Sequence, residues 1–192
     1  MAGFTIFGTG TMANAIGGLL AEGASSVSYI GSDESGSVPI EEDIVVLAVP
    51  YPAVDGILSS YADQLAGRTV VDITNPLDFS TFDSLVVPAG SSAAAEIQGK
   101  LPDSAVVKAF NTTFAATLTS KKTGALPTTV LVAGDDASAK SALISAVEAG
   151  GVAAMDVGSL ARAHELEAIG FLQLTLAVGD KIPWTGGFGV TR

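Results

Sequence analysis

Two hydrophobic periods alternate along the chain. Gly3-Phe4-Thr5-Ile6-Phe7 is a short β-type run. From Met12 the apolar positions Met12, Ala13, Ile16, Leu19 and Leu20 recur at helical spacing, and Gly23 stands where a helix would stop. Residues 26–30 read as a second strand and 43–49 as a buried third. Val54, Ile57, Leu58, Tyr61 and Leu65 form another helical face closed by Gly67, followed by a strand over 69–73. The second half continues with a helix over 93–101, strands over 105–110 and 128–133, and a helix from about 136 to 149. A weaker strand over 152–157 precedes one long helix over 159–178, with Ser159 as its N-cap. Strands that are almost unbroken Val, Ile and Leu are buried on both faces. The pattern therefore predicts a doubly wound, mostly parallel α/β sheet, in one domain over 1–192 that includes a C-terminal helix and tail from about 159.

One connection breaks the alternation. Residues 31–42 carry two glycines and a proline, and a full crossover with its helix needs at least about 10–12 residues. A loop is expected where a doubly wound sheet usually has a helix.

Composition narrows the chemistry. The formal charge of −11 disfavours phosphate neutralisation, so no nucleic-acid partner is expected. The absence of Cys excludes disulfides, thiolate catalysis and Cys-based metal sites, and a single His leaves no imidazole-built site, so no metal is expected. The longest apolar stretch, 168–178, contains Gln173 and Thr175 and falls short of the ~20 residues of a membrane span. The N-terminus shows no basic leader, and a cytoplasmic protein without membrane attachment is the expectation.

Gly8-Thr9-Gly10-Thr11-Met12-Ala13 is a G-x-G-x-x-A element. The pattern alone is weak, but here it follows the first strand and opens the first helix, where a dinucleotide-binding turn must lie. Gly8 allows the tight turn, Gly10 brings no Cβ between backbone and pyrophosphate, and Ala13 permits close helix–sheet packing. Ligands of open parallel sheets bind outside the carboxyl ends of the strands. Those ends here carry Gly8, Gly31-Ser32-Asp33, Ala48-Val49-Pro50, Thr74-Asn75-Pro76 and Phe110-Asn111-Thr112. Strand-ending chemistry accounts for any one of them, and less comfortably for all five.

Gly8-Thr9-Gly10, Asp72-Ile73-Thr74-Asn75-Pro76-Leu77 and Lys108-Ala109-Phe110-Asn111-Thr112 resemble the motifs of the NADP oxidoreductases that depend on the deazaflavin coenzyme F-420. Ser92-Ala93-Ala94-Ala95-Glu96-Ile97 and Val132-Ala133-Gly134-Asp135-Asp136 resemble further segments of that family. The resemblance runs in the same order over nearly the whole chain and is greatest to the short dinucleotide-binding members. It implies an NAD(P)-binding Rossmann fold that passes hydride between the nicotinamide of NADP and a small-molecule acceptor. It also implies that Thr9, Thr11 and Met12 join Gly8 and Gly10 at the phosphates, with Ser32 and Asp33 at the adenosine ribose and its 2′-phosphate. Ala48, Val49 and Pro50 would line the cofactor groove. Asn75 and Pro76, with Ala109, Phe110 and Asn111 on the substrate side, would flank nicotinamide and acceptor. Two departures stand out. The family typically has a basic residue where Asp33 stands, and an acidic residue there bonds ribose hydroxyls and suits NAD. Glu34, Glu41 and Glu42 add to the same charge, and the loop from Ser32 to Glu42 is short.

No acid–base pair is evident. The tyrosines Tyr29, Tyr51 and Tyr61 are followed four positions later by Asp33, Asp55 and Leu65, which excludes a Tyr-x-x-x-Lys dehydrogenase. His164 reads as a solvated residue beside Glu165 and Glu167, and Lys108 as a lysine snorkelling from a strand edge. Hydride transfer between two face-to-face rings depends mostly on positioning and tolerates such a site. In the last helix Ile169, Phe171, Leu172, Leu174, Leu176 and Val178 spread around the circumference, which predicts burial on more than one side and a homodimer. The Trp184-Thr185-Gly186-Gly187-Phe188 tail would close over the site or pack at that interface. The expected activity is hydride transfer between nicotinamide and an acceptor, with a deazaflavin as the nearest analogue. A small imine or quinone reductase and a non-catalytic dinucleotide sensor are the alternatives.

Overall fold

In the computed structural model, residues 2–34 and 36–191 are described; Met1, Ser35 and Arg192, within the expected domain, loop and tail, lie outside them. The first half builds β1 (Gly3–Phe7), α1 (Thr11–Glu22), β2 (Ser26–Ile30), β3 (Ile44–Leu47), α2 (Tyr51–Leu65) and β4 (Thr69–Asp72). The second half builds α3 (Ala93–Lys100), β5 (Ala105–Lys108), α4 (Ala115–Ser120) and a small hairpin of β6 (Lys122–Thr123) and β7 (Leu126–Pro127). It ends with β8 (Thr129–Gly134), α5 (Ala137–Ala149), β9 (Ala153–Gly158) and α6 (Ala163–Val178).

Seven strands form one sheet in the order β2-β1-β3-β4-β5-β8-β9. Alternate residues of each strand face opposite layers. Phe4, Ile6, Val46, Val71 and Val107 pack in one cluster with Ile16 and Leu20 of α1 and Leu143 and Val147 of α5. Phe7, Val45, Leu47, Val70 and Val106 pack in a second with Val54 and Leu58 of α2 and Ile97 of α3. The first five strands are parallel. Because β3 lies on the opposite side of β1 from β2, the chain reverses its winding between β1 and β3, and a crevice opens at the carboxyl ends of those two strands.

The sheet is mostly parallel, as expected, with one antiparallel pair. β8 runs antiparallel to β5, overlapping it only at Val107–Gly134 and Lys108–Ala133. A parallel return needs a helix long enough to cross the sheet, and α4, with six residues, rises only ~9 Å. The chain therefore turns back from the edge it has just left. The last helix is also shorter than expected. Leu160–Arg162 form a 3₁₀ turn, the Ser159 side chain caps nothing, and α6 starts at Ala163. The Leu160 N–H is instead held by Asp135 Oδ1 at 2.9 Å. Residues 31–42 carry no helix among those described. Tyr61 holds this loop through Val38 O and the Gly36 N–H.

Candidate functional site

The glycine turn sits at the β1/β3 reversal. The Gly8 N–H donates to Ile30 O and the Ala48 N–H to Phe7 O, so three strand ends converge on it. Gly8 has φ +107°, and a Cβ there would lie 2.3 Å from Ala48 O; only glycine fits. Gly10 is the opposite case, because a Cβ there would meet nothing within 4 Å. The turn is thus tight behind and open in front. Gly10 is the N-cap of α1, no side chain caps that helix, and its first turn holds no acidic residue, so the positive end of the helix dipole faces the opening. Asn14 keeps the turn in shape by donating from Nδ2 to Thr9 O at 2.8 Å and Gly10 O at 3.0 Å.

On the β2 side of the turn lies a cavity of about 530 Å³. Gly8, Thr9, Gly10, Ser32, Ala48, Val49 and Pro50 all contribute to its wall. Asp33 does not, although it stands at the rim: a Cβ on Gly31 would lie 2.8 Å from Asp33 Oδ1 and 3.4 Å from Glu34 Oε2. Glu34 also accepts the Gly31 N–H at 3.0 Å, so two carboxylates overlook this end. Sequence reasoning missed Ala53, Gly56 and Ser60, which form the far wall. Their i, i+3, i+7 spacing on α2, opposite the Val54–Leu58–Tyr61 core face, is the signal that marks them.

A second cavity, of about 420 Å³, opens past Thr11 and Met12 at the ends of β4 and β5. Asn75, Phe110 and Asn111 line it, whereas Pro76 and Ala109 line neither cavity, and Ala109 belongs to the core. Phe110 has φ +63°, uncommon for a bulky residue and costly enough to need support. Thr113 supplies it, its N–H and hydroxyl both donating to Phe110 O. The two asparagines are locked together: Asn75 Nδ2 donates to Asn111 O, and Asn111 Nδ2 donates to Asn75 Oδ1 and to Leu166 O of α6. Gly170 makes room for this pair, since a Cβ there would lie 2.2 Å from Asn75 Oδ1.

Beneath the asparagines, Lys108 is fully buried, contrary to the expected snorkelling lysine. β5 lies between β4 and β8 and offers no edge to snorkel from. Lys108 Nζ donates to Asp72 Oδ2 and Glu167 Oε1, both at 2.7 Å, and to Thr74 O. Glu167 also accepts the Ala93 and Ala94 N–H groups, capping α3 from another helix. Burial raises the Glu167 pKa above the ordinary glutamate range, with the Lys108 charge pulling the other way. The inward stripe of α6 is thus small and polar in large part, including Glu167, Gly170 and Gln173, while Leu172 and Val178 are exposed. Within one chain α6 is buried along this stripe, and its other side is the one expected to meet a partner subunit. His164 is exposed, with Nδ1 3.0 Å from Ser91 O.

Comparison with known proteins agrees with this architecture. Residues 33–76 match the model of the family described as NADP oxidoreductase, coenzyme F420-dependent. The chain is 33% identical over 150 residues to the F420-dependent NADP reductase of Methanocaldococcus jannaschii, covering 76% of this chain and 67% of that one. It is 37% identical over 126 residues to the metalloreductase STEAP3 of Rattus norvegicus, a match covering 66% of this chain but 24% of that much longer protein. The fold matches a crystal structure from Arthrobacter sp. FB24, described provisionally as an F420-dependent NADP-reductase. The TM-score is 0.87 at 24% identity, over 98% of this chain and 99% of that one. The chain belongs to the F420-dependent NADP oxidoreductase family.

Proposed function

We propose that this protein is an NADP(H)-dependent oxidoreductase that passes hydride between nicotinamide and a small-molecule acceptor, a deazaflavin ring being the nearest analogue. The observation that carries this reading is the open space in front of Gly10 at the uncapped start of α1, with one cavity lined by Gly8, Thr9 and Gly10 and another by Thr11 and Met12. The Thr11, Met12 and Ala13 N–H groups would hold the pyrophosphate. Ser32 and the small face of α2 would hold the adenosine half in the larger cavity, and Asn75 and Asn111 would orient the nicotinamide in the smaller. Bound NADPH supplies the hydride chemistry. The chain's own part is to fix the ring against Phe110 and exclude water, since reacting atoms ~3–3.5 Å apart need alignment more than acid–base help. The direct test is single-turnover oxidation of bound NADPH on mixing with deazaflavin, flavin, quinone and imine acceptors. Transfer to at least one is expected, and binding without transfer to any would leave a dinucleotide sensor.

The protein is further proposed to act in the cytoplasm as a homodimer. Leu172 and Val178, half-exposed on the outer face of α6, support the dimer. Sedimentation at micromolar concentration should give about twice the 19.2 kDa chain mass, and a monomer would contradict it. No helix among the described residues is long and apolar enough to cross a membrane.

A further inference from the structure

Three charged side chains, Asp72, Lys108 and Glu167, are fully buried beneath the smaller cavity, and their contacts stop one residue short of the asparagine pair. Lys108 Nζ gives its three protons to Asp72 Oδ2, Glu167 Oε1 and Thr74 O, so none is left for a ligand. Asp72 Oδ1 accepts the Thr74 N–H at 2.8 Å, so Thr74 is held at both its N–H and its carbonyl. The next residue is Asn75. On α6, Glu167 meets Lys108, and the residue before it, Leu166, accepts from Asn111 Nδ2 at 2.8 Å. Asn111 itself stands three residues beyond Lys108 on the same chain segment. One ammonium therefore sets the separation of the three segments that fix the two amides. Such a cluster is a poor device for stability alone. Each charge gives up its hydration, and uncharged replacement of a whole buried cluster is often neutral or stabilising. What it supplies beyond apolar packing is direction, because charge-assisted hydrogen bonds fix angles as well as distances.

We propose that Lys108 is a positioning residue for hydride transfer: through Thr74 and Glu167 it fixes the Asn75–Asn111 pair, and through that pair the plane of the nicotinamide. The proposal rests on the oxidoreductase reading above and adds a residue that touches neither dinucleotide nor acceptor. Lys108 lines neither cavity. Asn111 Nδ2 has both protons committed, to Asn75 Oδ1 and Leu166 O. Asn75 Nδ2 donates one proton to Asn111 O, and its other has no partner among the described residues. That proton is the one a nicotinamide carboxamide oxygen would accept, and its direction is set by the lock beneath it. Alignment of this kind is steep, since a misplacement of ~1 Å can lower a rate ~100-fold. Gly170 constrains the pair from the opposite side, its missing Cβ leaving room for Asn75 Oδ1.

The experiment compares NADPH with 2′-phospho-ADP-ribose, the same molecule without its nicotinamide. The proteins are wild type, Lys108→Met, the triple variant Asp72→Asn/Lys108→Met/Glu167→Gln, and Gly170→Ala. Calorimetry reads both affinities, and time-resolved fluorescence anisotropy reads how freely the bound dihydronicotinamide turns. In the wild type the ring should turn only with the protein. Lys108→Met should lose about tenfold in NADPH affinity and show nanosecond ring motion, with 2′-phospho-ADP-ribose bound within about threefold of the wild type. The triple variant leaves no buried charge unpaired. It should recover most of the melting temperature lost by Lys108→Met and still leave the ring loose. Recovery of the fold without recovery of the ring is a result that a merely structural lysine would not give. Should Lys108→Met fail to fold, the triple variant carries the comparison alone. Gly170→Ala keeps the ions and displaces Asn75 directly, so it should free the ring as well. A ring that stays fixed in the triple variant while Gly170→Ala frees it overturns the proposal and leaves the asparagines their part. Equal loss of both ligands in the triple variant marks a general loosening and overturns it too. A ring fixed in every variant removes Lys108 and the asparagines together. If the wild type binds neither ligand, the oxidoreductase reading falls, and the proposal with it.

Discussion

Lys108 Nζ lies 2.7 Å from Glu167 Oε1, and neither side chain reaches solvent. With Asp72 at the same distance on its other side, the ammonium ties the ends of β4 and β5 to α6 directly below the asparagines of the smaller cavity. Removing it leaves two buried carboxylates without their cation. Lys108→Met should cost about 3–5 kcal/mol in denaturant unfolding, the range for breaking one side of a buried pair. A loss under about 1 kcal/mol would show that the carboxylates find other partners.

The same cluster gives stability a pH signature. Burial holds the Glu167 pKa above its unfolded value, so the folded state binds that proton more tightly. Its contribution is fully present below the ordinary glutamate range and is lost as pH rises through the raised value. Asp136 and Asp156 run the other way. The Ser138 hydroxyl lowers the first and the Lys140 ammonium the second, and their contributions are present above the ordinary aspartate range and are lost as pH falls through the lowered values. The melting temperature should therefore peak in mild acid. Glu167→Gln should flatten the decline on the neutral side, and an unaltered slope in that variant would assign the decline to the overall negative charge.

Asp33 and Glu34 overlook the end of the larger cavity where a 2′-phosphate would come. Two unit charges about 4 Å apart repel by ~4 kcal/mol at an effective dielectric near 20, before screening. On the proposed reading, Ser32, which lines that cavity, would take the phosphate with the backbone N–H groups beside it. Asp33→Arg should raise the ratio of NADPH to NADH affinity at fixed salt, because a guanidinium pairs with the phosphate. An unchanged ratio would mean that residue 33 faces away from the ribose.

Much of this was legible in the sequence because the causes are local. Val45–Leu47, Val70–Val71 and Val106–Val107 announce strands buried on both faces, and Gly8 announces a turn that only glycine can make. What was not legible depends on partners far along the chain. Lys108 is buried because Glu167, on another element, meets it, and nothing near Lys108 in sequence says so. The reversal of β8 follows from the shortness of α4, which the apolar pattern around it does not mark. Trp184 becomes a cavity wall through Phe114, against its ring, and through Gly124 and Gln173, which hold Thr185 and Phe188 of the same tail from elements far away in sequence. The small face of α2 is marked only by the spacing of Ala53, Gly56 and Ser60, a signal that strand-end chemistry does not carry.

The central claim is that the turn from Gly8 to Ala13 holds the pyrophosphate of NADP(H), and calorimetric titration of NADPH into wild type and Gly10→Val tests it most directly. The space before Gly10 is empty of protein, so the variant should fold and melt close to wild type. Its branched side chain would fill the position of the phosphates, and affinity should fall by about 100-fold or more, roughly 2.7 kcal/mol. A folded Gly10→Val protein that binds NADPH as tightly as the wild type would place the dinucleotide elsewhere and contradict the account.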